Sequence, residues 1–198
     1  MLFYSKGEIH SAINSLHSPF FDVFFKRITF GGNGLMYLLP LLYLLKGRNK
    51  WLIAYLVAVV SSVALVFLFK HCLFEKACRP VKYFEMFSNL NLYLVDGVRL
   101  SRLHSFPSGH TTTAFTVFFI FAVMMRKNSL KLLCFIFALL VAYSRMYLSQ
   151  HFLIDIVAGS FFAVGSAMLS IRYSMFLFSL FERIVIRVFA KKKQIFWK

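Results

Sequence analysis

A run of nineteen residues without a charge, from Trp51 to Phe69, restricts the fold of this chain more than any other feature. As an α-helix the run measures roughly 28 Å, which is close to the hydrocarbon thickness of a bilayer. The rest of the chain has the same character, because 60% of its residues are hydrophobic and 19% are aromatic. A soluble domain of 198 residues has too little interior for that much apolar surface. The sequence therefore predicts an integral membrane protein.

Four further apolar segments predict an all-α transmembrane helical bundle of about five spans. In chain order the expected spans are 34–45, 51–69, 109–125, 130–148 and 152–178. Ahead of them, residues 10–28 mix aromatic side chains with charged ones and contain Pro19. This pattern favours short interfacial helices that lie at the membrane surface.

The chain is predicted to form a single membrane domain over residues 1–198. Its parts are an interfacial segment (1–28), the helical bundle (29–178) with a long loop at 70–108, and a basic tail (179–198). Alternation of the spans places the tail, the 46–50 loop and the 126–131 loop on one side of the membrane. With Arg172, near the end of the fifth span, that side holds 13 of the 23 Lys and Arg residues. The positive-inside rule then predicts a cytoplasmic C-terminus. We expect a bacterial inner-membrane protein whose 70–108 loop faces away from the cytoplasm.

The net charge of +16 has two interpretations at this point. Basic residues beside membrane spans commonly bind anionic lipid headgroups, and some of them can also form an anion-binding pocket. A nucleic-acid partner is disfavoured because the basic residues are scattered between apolar spans. The sequence carries no information on oligomeric state.

Three polar clusters are expected to meet on the non-cytoplasmic side. They are Lys70 with Arg79-Pro80, then Pro107-Ser108-Gly109-His110, and finally Ser144-Arg145 with His151 and Asp155. Alternation of the spans alone brings all three to the same membrane face. This agreement points to one polar site.

The third cluster suggests nucleophilic chemistry. If the fifth span begins near His151, then Asp155 lies four residues later on the same helix face. A carboxylate in that position holds one imidazole nitrogen as N–H and leaves the other free to attack. A structural His–Asp contact at a helix end is the alternative, and the pair alone does not choose between them.

The second cluster has the character of an anion cradle. Since Pro107 precedes a helix, Ser108, Gly109 and His110 are expected to offer unpaired backbone N–H groups at the positive end of the helix dipole. The imidazole of His110 can protonate a leaving oxygen and later activate water. An ordinary Pro-Ser-Gly turn that caps the third span remains the alternative.

Fixed positive charge comes from Arg79 and Arg145, which can each bind a phosphate in bidentate fashion, and from Lys70. Contact with lipid headgroups is the alternative, and we prefer it for the remaining cations of the long loop, which are Lys76, Lys82, Arg99 and Arg102. Four other histidines are expected in loops or at the membrane surface: His10, His17, His71 and His104. The sequence shows no His, Cys or Asp set with the spacing of a zinc site.

Taken together and in this order, the three clusters resemble the tripartite signature of the type 2 phosphatidic acid phosphatase family. The resemblance covers residues 70–155 and implies metal-independent hydrolysis through a phosphohistidine, with no cofactor. It implies His151 as nucleophile, Asp155 as its orienting partner and His110 as general acid and then base. It also implies a phosphate-binding set of Lys70, Arg79, Ser108, Gly109 and Arg145. The first block departs from the family pattern, with eight residues instead of six between Lys70 and Arg79, so that Lys76 is an alternative for the lysine role.

The family resemblance implies a lipid phosphate as substrate, with the chain of the lipid remaining in the bilayer. Candidates are undecaprenyl diphosphate, phosphatidylglycerol phosphate, phosphatidic acid and the phosphates of lipid A, and the sequence does not choose among them. Two alternatives remain open. One is a phosphotransferase in which a second lipid replaces water, and the other is a non-catalytic protein that binds anions or lipids.

Overall fold

The computed structural model describes residues 4–45, 50–87 and 90–195, and all regular secondary structure in this part of the chain is helical, without a strand. Its helices are α1 (Lys6–Asn14), α2 (Pro19–Ile28), α3 (Leu38–Leu44), α4 (Lys50–Phe67), α5 (Pro80–Phe87), α6 (Gly109–Met124), α7 (Asn128–Tyr147) and α8 (Leu153–Ile195). The predicted all-α class is confirmed. Residues 46–49 of the predicted loop and 196–198 of the predicted tail lie outside the described ranges.

Two short helices precede the bundle, as predicted from the polar and aromatic pattern around Pro19. Helix α1 begins with a capping box, in which Ser5 accepts from the Glu8 backbone N–H and the Glu8 carboxylate accepts from that of Ser5. Helix α2 begins at Pro19, with the Ser18 side chain as its N-cap. Both helices pack against α7, and α1 also reaches α5 and α8. The N-terminal segment is therefore joined to the bundle.

Helix α6 lies at the centre of the bundle, where it contacts α4, α7 and α8, and α4 packs along α8. Small side chains mark the contact of these helices, since Ala58 and Ala167 are fully buried beside Ile120. Such residues let helix backbones approach closely in a membrane. Large apolar side chains such as Val60 and Phe161 point outward and are exposed. An apolar exterior is what a helical bundle in lipid requires.

The helices agree with the predicted spans in number and differ from them at the ends. Three helices are long and apolar enough to cross a membrane, namely Trp51–Leu73, Asn128–Tyr147 and Leu153–Ser174, and two shorter apolar ones cover Gly34–Leu44 and Gly109–Met124. The second span continues past its predicted end through a π-helical turn, Leu68–Leu73. Helix α8 does not end near residue 178 but continues to Ile195, so most of the predicted tail is helical.

A pair of 3₁₀ turns, Thr29–Gly32 and Gly34–Tyr37, leads from α2 into α3. The first turn lies directly on α6 and α7. A Cβ atom at Gly32 would stand 2.7 Å from both the Cβ and the carbonyl oxygen of His110, and 2.9 Å from Val141 Cγ1. Only a glycine allows this approach, which fixes the N-terminal segment against His110.

We predict that Gly32→Ala destabilises the protein, whereas Gly34→Ala does not. At Gly32 a methyl group collides with backbone that is held by α6, and such overpacking costs about 1–3 kcal/mol. At Gly34 a Cβ atom has no neighbour within 4 Å. Unfolding of the two variants in the same detergent measures the difference. An equal effect of both substitutions would contradict the close contact.

His10, one of the four histidines expected in loops or at the membrane surface, is buried instead. The ring of His10 is 2% exposed and packs against Phe84 and Phe152. Its Nε2 lies 3.2 Å from the Ser149 hydroxyl oxygen, and its Nδ1 has no partner in the described part of the chain. Burial, followed by the nearby charge of His17, lowers the pKa of His10 to about 4. No local pattern marks His10 for burial, because its contacts come from residues that are distant in the sequence.

This burial predicts a stability that falls as the pH is lowered from about 6.5 to about 4. In that window the unfolded chain protonates His10 and the folded protein does not, so folding weakens by at most about 1.4 kcal/mol per pH unit from this group. The variant His10→Gln should show a flatter dependence over the same window. His71→Gln, at an exposed position, is the matched control and should follow the wild type. Identical pH slopes for His10→Gln and wild type would refute the assignment.

Candidate active site

A cavity of about 390 Å³ lies where the long loop meets the ends of α4, α6 and α7. Six of the eight residues predicted for the site line this cavity: Lys70, Arg79, Gly109, His110, Arg145 and His151. They come from all three sequence clusters. The structure therefore brings residues of the three clusters together in one cavity.

The His151 imidazole and the Asp155 carboxylate form a buried pair, with Nδ1 3.3 Å from Oδ2. The same carboxylate oxygen accepts from the Phe152 backbone N–H at 2.9 Å and from the Ser105 hydroxyl. The sequence predicted His151 and Asp155 on one helix face, but helix α8 begins at Leu153, so His151 precedes the helix. The contact forms because Asp155 folds back over the first turn. Nε2 is then the nitrogen that the carboxylate does not engage.

Charge and burial keep the His151 ring neutral. The side chain is almost completely enclosed, and Arg79, Arg145 and Lys70 lie nearby. Burial first, and then these cations, lower the pKa of His151 well below its usual value. A neutral imidazole has a lone pair, which is the form that a nucleophile needs.

Arg79 and Arg145 are joined by Gln150, a residue that sequence reasoning missed. The Gln150 side-chain oxygen accepts from Arg79 Nη1 at 3.2 Å and from Arg145 Nη2 at 3.4 Å. Arg145 Nη1 donates to the Thr29 hydroxyl at 2.6 Å, and Arg79 Nε donates to the Leu103 carbonyl at 2.9 Å. The two guanidinium groups therefore share one acceptor, and each is also held by a partner of its own.

The structure shows which of the two candidate lysines, Lys70 or Lys76, lies at the cavity. Lys70 lies in the π turn at the end of α4 and lines the cavity, whereas Lys76 is exposed and does not. A π turn holds more residues than an α-helical turn. It absorbs part of the lengthened interval to Arg79, so that Lys70 still reaches the other cations.

The structure at the start of α6 corrects the prediction that Ser108 offers a free backbone N–H group. The backbone N–H of Ser108 is not free, because it donates to the Asp155 carbonyl at 2.9 Å. The Ser108 hydroxyl oxygen accepts from the Thr111 hydroxyl at 2.9 Å, so this residue caps the helix and does not line the cavity. Gly109 and His110 do line it, and their N–H groups precede the first intrahelical bond, which Thr112 donates. The cradle therefore begins one residue later than predicted.

Among the loop cations expected at lipid headgroups, Arg99 lines the cavity and Arg102 pairs with Glu85. Lys26, from the N-terminal segment, lines it as well. A single sequence contains no signal that would place Lys26 or Thr29 at the cavity, because both lie more than a hundred residues before Arg145 in the chain. Gln150 had a weak signal, since it directly precedes the proposed nucleophile.

Comparison with known proteins agrees with this geometry. The family model of the PAP2 superfamily matches residues 51–179. A lipid A 4'-phosphatase of Bacteroides thetaiotaomicron is 28% identical over 153 residues, which are 74% of this chain and 67% of the relative. Among solved structures, Aquifex aeolicus LpxE is similar with a TM-score of 0.72 and 26% identity, covering 84% of this chain and 94% of LpxE.

A transmembrane PAP2-type phosphatidylglycerolphosphate phosphatase from Bacillus subtilis has a TM-score of 0.67 at 22% identity, with 86% of this chain and 84% of that one covered. At that identity the likeness concerns the fold alone. It supports a membrane-embedded helical bundle for the present chain. Because the family model covers more than half of the chain, including all three clusters, the protein belongs to the PAP2 superfamily, as its sequence resemblance implied.

Proposed function

We propose that this protein is a lipid phosphatase that releases phosphate from a membrane lipid through a phosphohistidine at His151. The observation that carries the proposal is the meeting of a neutral, carboxylate-held imidazole with three cations in one cavity. Phosphoryl transfer requires a positioned nucleophile and fixed positive charge around the phosphoryl oxygens, and little else from the protein. The names of the relatives, a lipid A 4'-phosphatase and a phosphatidylglycerolphosphate phosphatase, agree with this class of substrate.

In the first step, Nε2 of His151 attacks phosphorus and the bond from phosphorus to the leaving oxygen breaks. The proton on Nδ1 stays on the side of Asp155, whose carboxylate stabilises the positive charge that grows on the ring. His110, across the same cavity, protonates the leaving oxygen. The dephosphorylated lipid departs, and the phosphoryl group remains on His151.

In the second step, His110 takes a proton from water and the hydroxyl attacks phosphorus. The N–P bond breaks, inorganic phosphate leaves and Nε2 regains its lone pair. Lys70, Arg79 and Arg145 neutralise the phosphoryl oxygens in both steps, assisted by the N–H groups of Gly109 and His110.

We further propose that the site faces away from the cytoplasm in a bacterial inner membrane. The cavity lies at the beginnings of α6 and α8 and at the ends of α4 and α7, so all its parts share one face of the bundle. The distribution of Lys and Arg supports a cytoplasmic position for the opposite face. The substrate would then be a lipid of the outer leaflet, of the lipid A, phosphatidylglycerol phosphate, undecaprenyl diphosphate or phosphatidic acid type.

Removal of the nucleophile should abolish turnover without unfolding the protein. We expect His151→Ala to release phosphate from a lipid phosphate at least about 10³-fold more slowly than wild type. The control His71→Ala changes an exposed histidine outside the cavity and should retain activity. Both assays are run in detergent with and without a chelator, which should change neither rate. Full activity of His151→Ala would exclude the proposed mechanism.

Gln150 gives a second test, because its neutral oxygen lies where a phosphate oxygen would compete for the two arginines. We expect Gln150→Glu to raise the KM for lipid phosphate by about tenfold or more, since its carboxylate pairs with both guanidinium groups. Gln150→Ala should raise KM less. If Gln150 only fills space, the order reverses, because Glu preserves its shape and Ala does not. Steady-state kinetics of the two variants distinguish these outcomes.

A further inference from the structure

The cavity holds more positive charge than a single phosphate requires. Besides Lys70, Arg79 and Arg145, its wall includes Lys26 and Arg99, and no acidic side chain lines it in the described part of the chain. A phosphate group carries a charge of about −1.5 to −2 near neutral pH. Three cations already balance that charge. The two additional cations therefore suggest a ligand with further negative charge.

A hydrogen bond to the backbone of the long loop holds Lys26 at the cavity. It lies in the last turn of α2, and its Nζ donates to the Asp96 carbonyl at 2.6 Å. Gly97, the next residue, has a φ of 69°, and a Cβ atom there would stand 2.7 Å from the same Nζ. Gly97 has no Cβ atom, and the Lys26 side chain can therefore pass close to the loop at this position. One of the three ammonium protons is used, and two remain for a ligand.

Arg99 belongs to the same loop and is tied to the inner site. Its backbone carbonyl accepts from Gln150 Nε2 at 3.0 Å, while the Gln150 oxygen binds Arg79 and Arg145. The side chain of Arg99 is exposed, whereas those of Arg145 and His151 are buried. The five cations that line the cavity therefore range from buried Arg145 to exposed Arg99.

We propose that Lys26 and Arg99 form a second anion subsite, which binds a second negatively charged group of the substrate while its terminal phosphate reacts at His151. This inference rests on the proposed phosphatase function and narrows its substrate class to lipids with two closely spaced anionic groups. Phe30, an exposed aromatic residue that lines the same cavity as Lys26, provides an apolar contact for the adjoining part of such a lipid. A lipid diphosphate and a glycolipid with two phosphates both have this chemistry.

Binding without turnover tests the subsite most simply. The probes are inorganic phosphate and methylenediphosphonate, which is not hydrolysed, measured by their affinity for the purified protein in neutral detergent. We expect the wild type to prefer the diphosphonate by about tenfold or more. The double variant Lys26→Gln/Arg99→Gln should lose this preference while its affinity for phosphate changes by less than about threefold.

The matched control is Arg27→Gln/Lys76→Gln, which removes the same charge at two exposed positions outside the cavity. It should keep the preference for the diphosphonate. If the double variant at Lys26 and Arg99 also keeps the preference, or if the control loses it equally, the subsite is refuted.

Lipid substrates then distinguish the two sources of the second anion. With a prenyl monophosphate, a prenyl diphosphate and a two-phosphate glycolipid, the KM of the variant should rise about tenfold only for the lipid whose second group occupies the subsite. Equal losses for all three lipids, confined to vesicles of anionic lipid, would show membrane adhesion and overturn the proposal. If the wild type hydrolyses none of them, the proposed function fails, and the diphosphonate result still decides whether the subsite exists.

Discussion

The carboxylate of Asp155 is the point on which the arrangement of the site depends. One of its oxygens accepts from the His151 ring, from the Phe152 backbone and from the Ser105 hydroxyl. The carbonyl oxygen of the same residue accepts from the Ser108 backbone N–H. One residue at the start of α8 thereby fixes the imidazole, the end of the long loop and the first turn of α6. A buried carboxylate with several donors is strongly oriented, and it fixes the groups around it.

The N-terminal segment also supports the site, through the turn that carries Gln150 and His151. Ser149, immediately before Gln150, has a φ of 51°, a region that non-glycine residues occupy only when their surroundings hold them there. Its hydroxyl oxygen contacts His10 Nε2 at 3.2 Å and accepts from Asn14 Nδ2 at 3.3 Å. Asn14 in turn bonds the backbone of Tyr93 in both directions. The turn that carries Gln150 and His151 is thus supported by α1 and by the long loop, while Thr29 supports Arg145.

The sequence predicted the parts of this structure that follow from local pattern. Charge-free apolar runs predict the spans, and alternation of the spans brings Lys70, His110 and His151 to one face because each lies at a span end. The helix ends were predicted less well, since the π turn after Phe67 and the continuation of α8 to Ile195 leave no clear mark in hydropathy. Ser108 was assigned a free N–H because its acceptor, the Asp155 carbonyl, is set by tertiary packing. Contacts from distant segments, such as those of Thr29 and Lys26, depend on the fold as a whole.

The central claim is that phosphorus becomes bonded to His151 during turnover, and direct detection of that bond tests it. The protein is mixed with a radiolabelled lipid phosphate, quenched within milliseconds in base and mapped by mass spectrometry. The account predicts a phosphoryl group on His151 that is stable in base and lost in acid. Phosphate release by the wild type with no label on His151, or with the label on another residue, would contradict the account.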